Sequence, residues 1–181
     1  MIKGKNIVIG MTGGIACYKV CDIITHLVRC GANVEVIMTK NAAEFITPLT
    51  IETLSKHKVV LGMFDKKEHI EVEHISLARK ADIIAVIPTT ANIIGKIANG
   101  IADDMLSTTI MASPAKVLFA PAMNNEMYTN PIVQSNIQKL KDYGYYFVEP
   151  IEGELACGYK AIGKLASRNT IIESIEKELE G

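Results

Sequence analysis

Short, uninterrupted apolar runs separated by amphipathic stretches organise this chain. Asn6 to Gly10, Asn33 to Met38, Ala81 to Ile87, Lys116 to Ala120 and Tyr145 to Val148 lack the strict polar-apolar alternation of a half-exposed sheet. Such runs predict strands buried on both faces, as a parallel sheet requires. Between them lie helical patterns. The first runs from Ile15 to about Arg29 and is stopped by Gly31, and others cover Glu71 to Lys80, Ala91 to Ala98 and Asp103 to Met111. Asn130-Pro131 opens a further helix to about Tyr143, and Ser167 or Asn169 caps a last one to Leu179. Between Lys40 and Asp65 the pattern is mixed, with a short helix before Pro48, another over Thr50 to Ser55 and apolar pieces from Val59 to Phe64. The strand at Ala81 is expected to stop at Pro88, because proline cannot donate to a ladder.

Strand, glycine-rich turn, helix and strand at the start form a βαβ unit, whose crossover is right-handed. The fold class that follows is α/β: a doubly wound, mostly parallel sheet flanked by helices, in a single domain over residues 1–181. The segment 149–166 breaks the pattern. It has few apolar residues and contains Gly153, Gly158 and Gly163, so it reads as an irregular surface loop or a lid.

Composition narrows the function. With 181 residues, 49% hydrophobic and 22% charged, the chain can build one sizeable core. A formal net charge of -1 and a pI of about 6.4 leave no basic field, so neither nucleic acid nor an anionic membrane is a favoured partner. No apolar run reaches the ~18 residues of a membrane helix, and the N-terminus leads into a strand without a signal peptide, so a cytoplasmic location is expected. Cys17, Cys21 and Cys30 fall on the first helix and are expected to be small core residues. No second Cys/His pair stands at ligand spacing, so no metal site is expected.

Candidate chemistry gathers at the predicted strand ends. Gly10-Met11-Thr12-Gly13-Gly14-Ile15-Ala16 places small residues, backbone amides and a hydroxyl at a helix N-terminus, an arrangement that holds phosphate. The spacing is not that of dinucleotide folds, and Met38-Thr39-Lys40 offers no acid for a ribose hydroxyl, so a mononucleotide fits better than NAD. Tight strand-helix packing would also account for these glycines. The other strand ends carry Thr39, then Pro88-Thr89-Thr90-Ala91-Asn92, then Pro121 to Met127. These mixed hydroxyl, amide and apolar groups suit a planar heteroaromatic, and Thr90 or Asn92 would serve equally as a helix cap.

The stretch Ala120 to Tyr128, with two Met, two adjacent Asn and a Pro, is unusual for a plain strand-to-helix loop. His74 has apolar, helical surroundings that fit a structural histidine as well as a base. Arg79 could meet a carboxylate or phosphate, or simply solvent. Cys157, in the irregular segment, could reach a ligand or pack under its own loop.

In order along the chain stand Gly13-Gly14-Ile15-Ala16, His74-Ile75, Ala81-Asp82 leading to Pro88-Thr89-Thr90-Ala91-Asn92, Asn99 to Asp104, Pro121 to Tyr128 and Ala156-Cys157-Gly158. Together they resemble the homo-oligomeric flavin-containing cysteine decarboxylases over nearly the whole chain. The Pro-x-Met-Asn-x-x-Met block, together with the His and the Cys, is the specific part. The resemblance implies a Rossmann-like flavoprotein fold and bound FMN. The phosphate would sit at Thr12, Gly13, Gly14, Ile15 and Ala16, and the ring among Thr39, Pro88, Thr89, Thr90, Ala91 and Asn92 and the segment from Asp104 to Ser107. It implies decarboxylation of 4'-phosphopantothenoylcysteine in coenzyme A biosynthesis, through a thioaldehyde, loss of carbon dioxide and reduction of an enethiol. His74, Asn124 and Cys157 would be catalytic, with Asn124 on the substrate carboxylate and Cys157 a proton donor on a flap. Arg79, Ala122, Met123 and Met127 would join Asn124 in binding substrate. A trimer or dodecamer is implied, with the pocket completed by a neighbouring subunit.

Two positions depart from the family pattern. Tyr128 stands where some relatives carry Trp, and Asp103-Asp104 replaces a pair that usually includes Asn, removing an amide from that corner. Three rivals share features. A peptidyl-cysteine decarboxylase would use a different flap, a flavin prenyltransferase lacks the Pro-x-Met-Asn block, and a non-catalytic regulatory flavoprotein could dispense with the Cys or the Asn.

Overall fold

In β1 (Asn6–Met11), Ile7, Ile9 and Met11 pack to one side of the sheet and Val8 to the other, all fully or nearly fully buried. A strand apolar on both faces needs a helix layer on each, and the computed structural model supplies both; it describes residues 2–63, 73–154, 158 and 160–180. After β1 come α1 (Cys17–Arg29), β2 (Asn33–Met38), α2 (Lys40–Ala43), α3 (Pro48–Ser55), α4 (Glu73–Lys80) and β3 (Ile83–Thr89). Then follow α5 (Ala91–Ala98), α6 (Met105–Ala112), β4 (Lys116–Pro121), α7 (Asn125–Thr129), α8 (Pro131–Asp142) and β5 (Tyr146–Phe147). The chain closes with β6 (Ile151–Glu154), β7 (Lys160–Lys164) and α9 (Arg168–Glu180).

Among the described residues, β2-β1-β3-β4-β5 form a five-stranded sheet whose pairs are all parallel. One layer is built from α1, α3 and α9, where Val20, Ile23, Ile24 and Leu27 recur at helical spacing and meet Ile51, Ile171 and Ile175. The other contains α4, α5, α6, α7 and α8, with Leu77, Ile93, Ile97, Leu106, Tyr128 and Ile137 against Val8, Ile84 and Phe119. Each fully buried isoleucine contributes about 2 kcal/mol of transfer free energy, which makes the two apolar layers the main support of the strand ends.

The expected doubly wound fold is present, with four differences in detail. First, β3 does not stop at Pro88 but runs to Thr89. The ladder to β4 shifts register between Val86 and Thr89, so Pro88 sits at an irregularity where no donor is required. Second, segment 149–166 is not irregular throughout, because β6 and β7 pair within it as an antiparallel hairpin. Its signal was weak because Ile151 and Ile162 are exposed, so no buried face imposes alternation. Third, Cys17 is buried but Cys30 is exposed at the C-cap of α1, outside the core. Fourth, the loop after β4 contains the short helix α7. Among the described residues, no helix is long and apolar enough to cross a membrane.

Candidate functional site

The strand order reverses between β1 and β3, and ligands of open α/β sheets bind at such a switch point, beyond the carboxyl ends of the strands. A cleft of about 790 Å³ opens there, walled by Thr12 and Gly13 after β1, Met38 and Thr39 at β2, and Thr90 and Asn92 after β3. Asp104 and Leu106 form the far wall, and Met127 of α7 reaches its edge. The volume suits a cofactor-sized molecule.

The turn after β1 is locked from within. Thr12 is buried; its hydroxyl donates to the Pro88 carbonyl at 2.7 Å and accepts from the Thr90 amide at 3.1 Å. Cys17 donates its thiol to the Thr12 carbonyl at 3.2 Å, and burial pushes that thiol's pKa up, so it stays protonated and structural. Gly13 is required by close approach, since a Cβ there would overlap Asn41. A Cβ on Gly14 would lie 3.8 Å from Pro88 and 4.0 Å from the Ala122 carbonyl oxygen, so three strand-end loops converge on this turn.

The helix that follows lacks a side-chain cap at Ala16 and has no acidic residue in its first turn. Among the described residues, none accepts a hydrogen bond from the amides of Gly13, Ile15 or Ala16. Three donors without a described acceptor at the N-terminus of a long helix present the geometry and dipole that suit an anion.

Thr39 and Thr90 line the cleft and also cap helices, their hydroxyls accepting from Ala42 at 3.3 Å and Ile93 at 3.5 Å. Both readings of these threonines are therefore compatible. Thr89 is fully buried and donates to the Val86 carbonyl, while Ala91 and Pro88 lie outside the cleft wall. Ser107 is fully buried too, closing a capping box with Asp104 behind the wall.

Sequence reasoning missed Lys96, which lines the cleft and pairs with Asp103 at 2.6 Å and Asp104 at 2.8 Å. Burial opposes its charge, but the two carboxylates outweigh burial and raise the ammonium's pKa. Burial likewise acts against the Asp104 carboxylate, yet Lys96 and Ser107 hold its pKa below the ordinary range. The acidic pair that departs from the family pattern is thus neutralised in place. A lysine one helix upstream of two adjacent acids was the available signal. Lys40 and Asn41 also line the cleft and could have been found as the residues directly after a strand-end Thr.

Asn124 caps α7, its Oδ1 accepting from the Glu126 amide at 2.8 Å. This bond turns the amide so that Nδ2 is the donor end. The neighbouring Met123 amide donates to the Gly163 carbonyl at 3.0 Å. Gly163 has φ +132, and a Cβ there would overlap the Met123 carbonyl oxygen, so the β6-β7 hairpin docks on this loop through a position only glycine fits. Gly163→Ala is expected to lower the melting temperature by about 5 °C in a thermal melt, from strain of ~2 kcal/mol. An unchanged melt would show that the docking is not tight.

His74 is half-buried on the first turn of α4 and is not part of the cleft wall. Arg79 is exposed near the end of α4 that leads into the start of β3, at the sheet edge opposite the strand carboxyl ends. Within one chain neither joins the cleft. Cys157 lies outside the described residues.

Comparison with known proteins places this geometry in a family. The family model described as Flavoprotein matches residues 1–180. The chain is 54% identical over 178 residues to the coenzyme A biosynthesis bifunctional protein CoaBC of Borreliella burgdorferi, covering 98% of this chain and 45% of that protein. It therefore spans about half the length of that relative. Against the probable phosphopantothenoylcysteine decarboxylase of Streptococcus mutans it is 41% identical, covering 97% of this chain and 99% of the other. Among solved structures, a cysteine-to-serine mutant of PPC decarboxylase complexed with pantothenoylaminoethenethiol superposes with a TM-score of 0.88 at 27% identity, over 99% of this chain and 100% of that one. The FMN-dependent cysteine decarboxylase SpaF gives 0.87 at 28%, over 100% of both chains. With a doubly wound sheet, a cleft at its switch point and a match over nearly its full length, the chain belongs to the flavoprotein family.

Proposed function

We propose that this chain binds FMN and decarboxylates 4'-phosphopantothenoylcysteine to 4'-phosphopantetheine, a carboxy-lyase step of coenzyme A biosynthesis. One observation carries the reading: a cofactor-sized cleft with apolar walls, threonine and asparagine on its rim and an internally paired Lys96-Asp103-Asp104 cluster opens at Gly13, beside the unpaired amides at the start of α1. The residues present fit the group. The amides of Gly13, Ile15 and Ala16 would hold the phosphate, Met38, Leu61, Met63 and Met105 would flank a flat ring, and Thr39, Thr90 and Asn92 would meet its polar rim. The names of relatives supply the substrate class.

When bound, FMN supplies a two-electron acceptor and donor, so the thiol-bearing carbon can be oxidised before carbon dioxide leaves and reduced afterwards. The protein's own work is orientation and proton handling. Asn124 directs its Nδ2 end at the carboxylate that is lost, and Met123, Ala122 and Met127 shape the space beside it. His74 takes or positions the thiol proton, and Cys157 returns a proton to the decarboxylated carbon. Because His74 and Arg79 stand away from the cleft of their own chain, they serve the cleft of a neighbouring subunit in a homo-oligomer, a trimer or a dodecamer, in the cytoplasm.

An absorption spectrum of the purified protein, with mass analysis of the released chromophore, tests the cofactor. The expected result is FMN, and turnover of 4'-phosphopantothenoylcysteine should release carbon dioxide and 4'-phosphopantetheine. A protein without FMN, or one that decarboxylates only a peptide ending in cysteine, would overturn the proposal.

A further inference from the structure

Tyr128 is the last buried residue of α7, and its amide donates to the Asn124 carbonyl at 2.9 Å. The ring sits in the core, 8% exposed, and the hydroxyl donates to Glu149 Oε2 at 2.5 Å. Glu149 Oε1 accepts from Lys141 Nζ at 2.5 Å, in the last turn of α8. Gln134, also on α8, donates to the Tyr128 carbonyl at 2.5 Å. Glu149 immediately precedes Pro150 and the hairpin strand β6.

Among the described residues, the hairpin is therefore tied to the Asn124 loop at two separate places. Near one end, Met123 and Gly163 exchange a backbone hydrogen bond and a close contact; at the base, Tyr128 holds Glu149. A five-residue helix has too few internal bonds to hold its own position, so α7 takes its position from these ties. We propose that Tyr128, Glu149 and Lys141 form a positioning relay that fixes the β6-β7 hairpin against the Asn124 loop and so aligns the substrate site for turnover.

The protonation of the relay supports this role. Burial, and then Glu149, push the Tyr128 hydroxyl well above its ordinary value, while Lys141 and Tyr128 hold the Glu149 carboxylate below its own despite burial. The proton stays on Tyr128 and the charge on Glu149, so the bond is a charge-assisted one, the strong kind. The residue that departs from the family pattern thus acquires a purpose through its hydroxyl.

The inference rests on the proposed decarboxylase reading for its catalytic readout, so the test has two parts on the FMN-loaded protein. Tyr128→Phe keeps the buried ring and removes only the donor. It is expected to lower kcat about tenfold with FMN content unchanged. Tyr128→Trp, whose indole N–H can donate to Glu149, should recover most of that loss. Independently of activity, hydrogen exchange at 151–154 and 160–164 should quicken at least about fivefold in Tyr128→Phe and in Glu149→Ala, but not in Tyr128→Trp. Unchanged exchange in both Tyr128→Phe and Glu149→Ala would overturn the relay whatever the substrate proves to be. Quickened exchange with unchanged kcat would overturn its part in turnover. Should the wild-type protein fail to decarboxylate, the exchange result still decides whether the relay exists.

Discussion

Asn124→Asp is expected to abolish turnover while leaving the protein folded and yellow. The substitution separates structure from chemistry because of how Asn124 is held. Its Oδ1 accepts from the Glu126 amide at 2.8 Å as the cap of α7, and an aspartate oxygen makes the same cap, with an added favourable interaction with the helix dipole. What changes is the other end, where a donor becomes a second negative oxygen. Two carboxylate charges about 4 Å apart repel by about 4 kcal/mol at an effective dielectric of about 20, which corresponds to about a thousandfold in rate. Steady-state kinetics with the FMN content measured alongside checks the outcome. A variant that retains turnover would remove Asn124 from the substrate carboxylate, and one that loses FMN would mean that the residue serves the cofactor site instead.

Cys157→Ser is the second large effect, and it should divide the reaction rather than stop it. Serine is a far weaker acid than cysteine, and loss of a positioned proton donor costs about a hundredfold or more. The expected outcome is release of carbon dioxide without 4'-phosphopantetheine, with an enethiol lighter than the product by two hydrogens and detectable by mass spectrometry. Normal yield of 4'-phosphopantetheine would remove Cys157 from the proton-donor role.

Much of the fold was legible in the residues because its elements are locally unambiguous. The run Ile83 to Thr89 is buried at every position, and α1 repeats its apolar face over several turns, so pattern and tertiary environment agree. The hairpin at β6 and β7 was not legible. Its strands are largely exposed, and they meet the rest of the fold through residues distant in sequence, Met123 bonding Gly163 and Tyr128 bonding Glu149 just before β6. The continuation of β3 through Pro88 was hidden for a similar reason, since the register shift that accommodates it involves a neighbouring strand.

The candidate site divides along the same line. Gly13, Thr39, Thr90 and Asn92 could be nominated from strand ends, because topology alone sends those ends to one edge of the sheet. Lys96 could not, because its partners Asp103 and Asp104 come into reach only when the loop after α5 folds back.

By itself, then, the order of apolar runs and glycine turns determined a parallel doubly wound sheet and the edge at which a ligand sits, since both depend on local periodicity and chain connectivity. Only the tertiary structure decided which side chains face that ligand. The Thr12 hydroxyl, a phosphate candidate in the sequence, spends its bonds on Pro88 and Thr90, leaving the main-chain amides beside it as the donors. Likewise His74 and Arg79, close in sequence to β3, fold away from the cleft. Side-chain direction depends on packing and hydrogen-bond partners brought together from distant parts of the chain, and a local sequence pattern does not contain them.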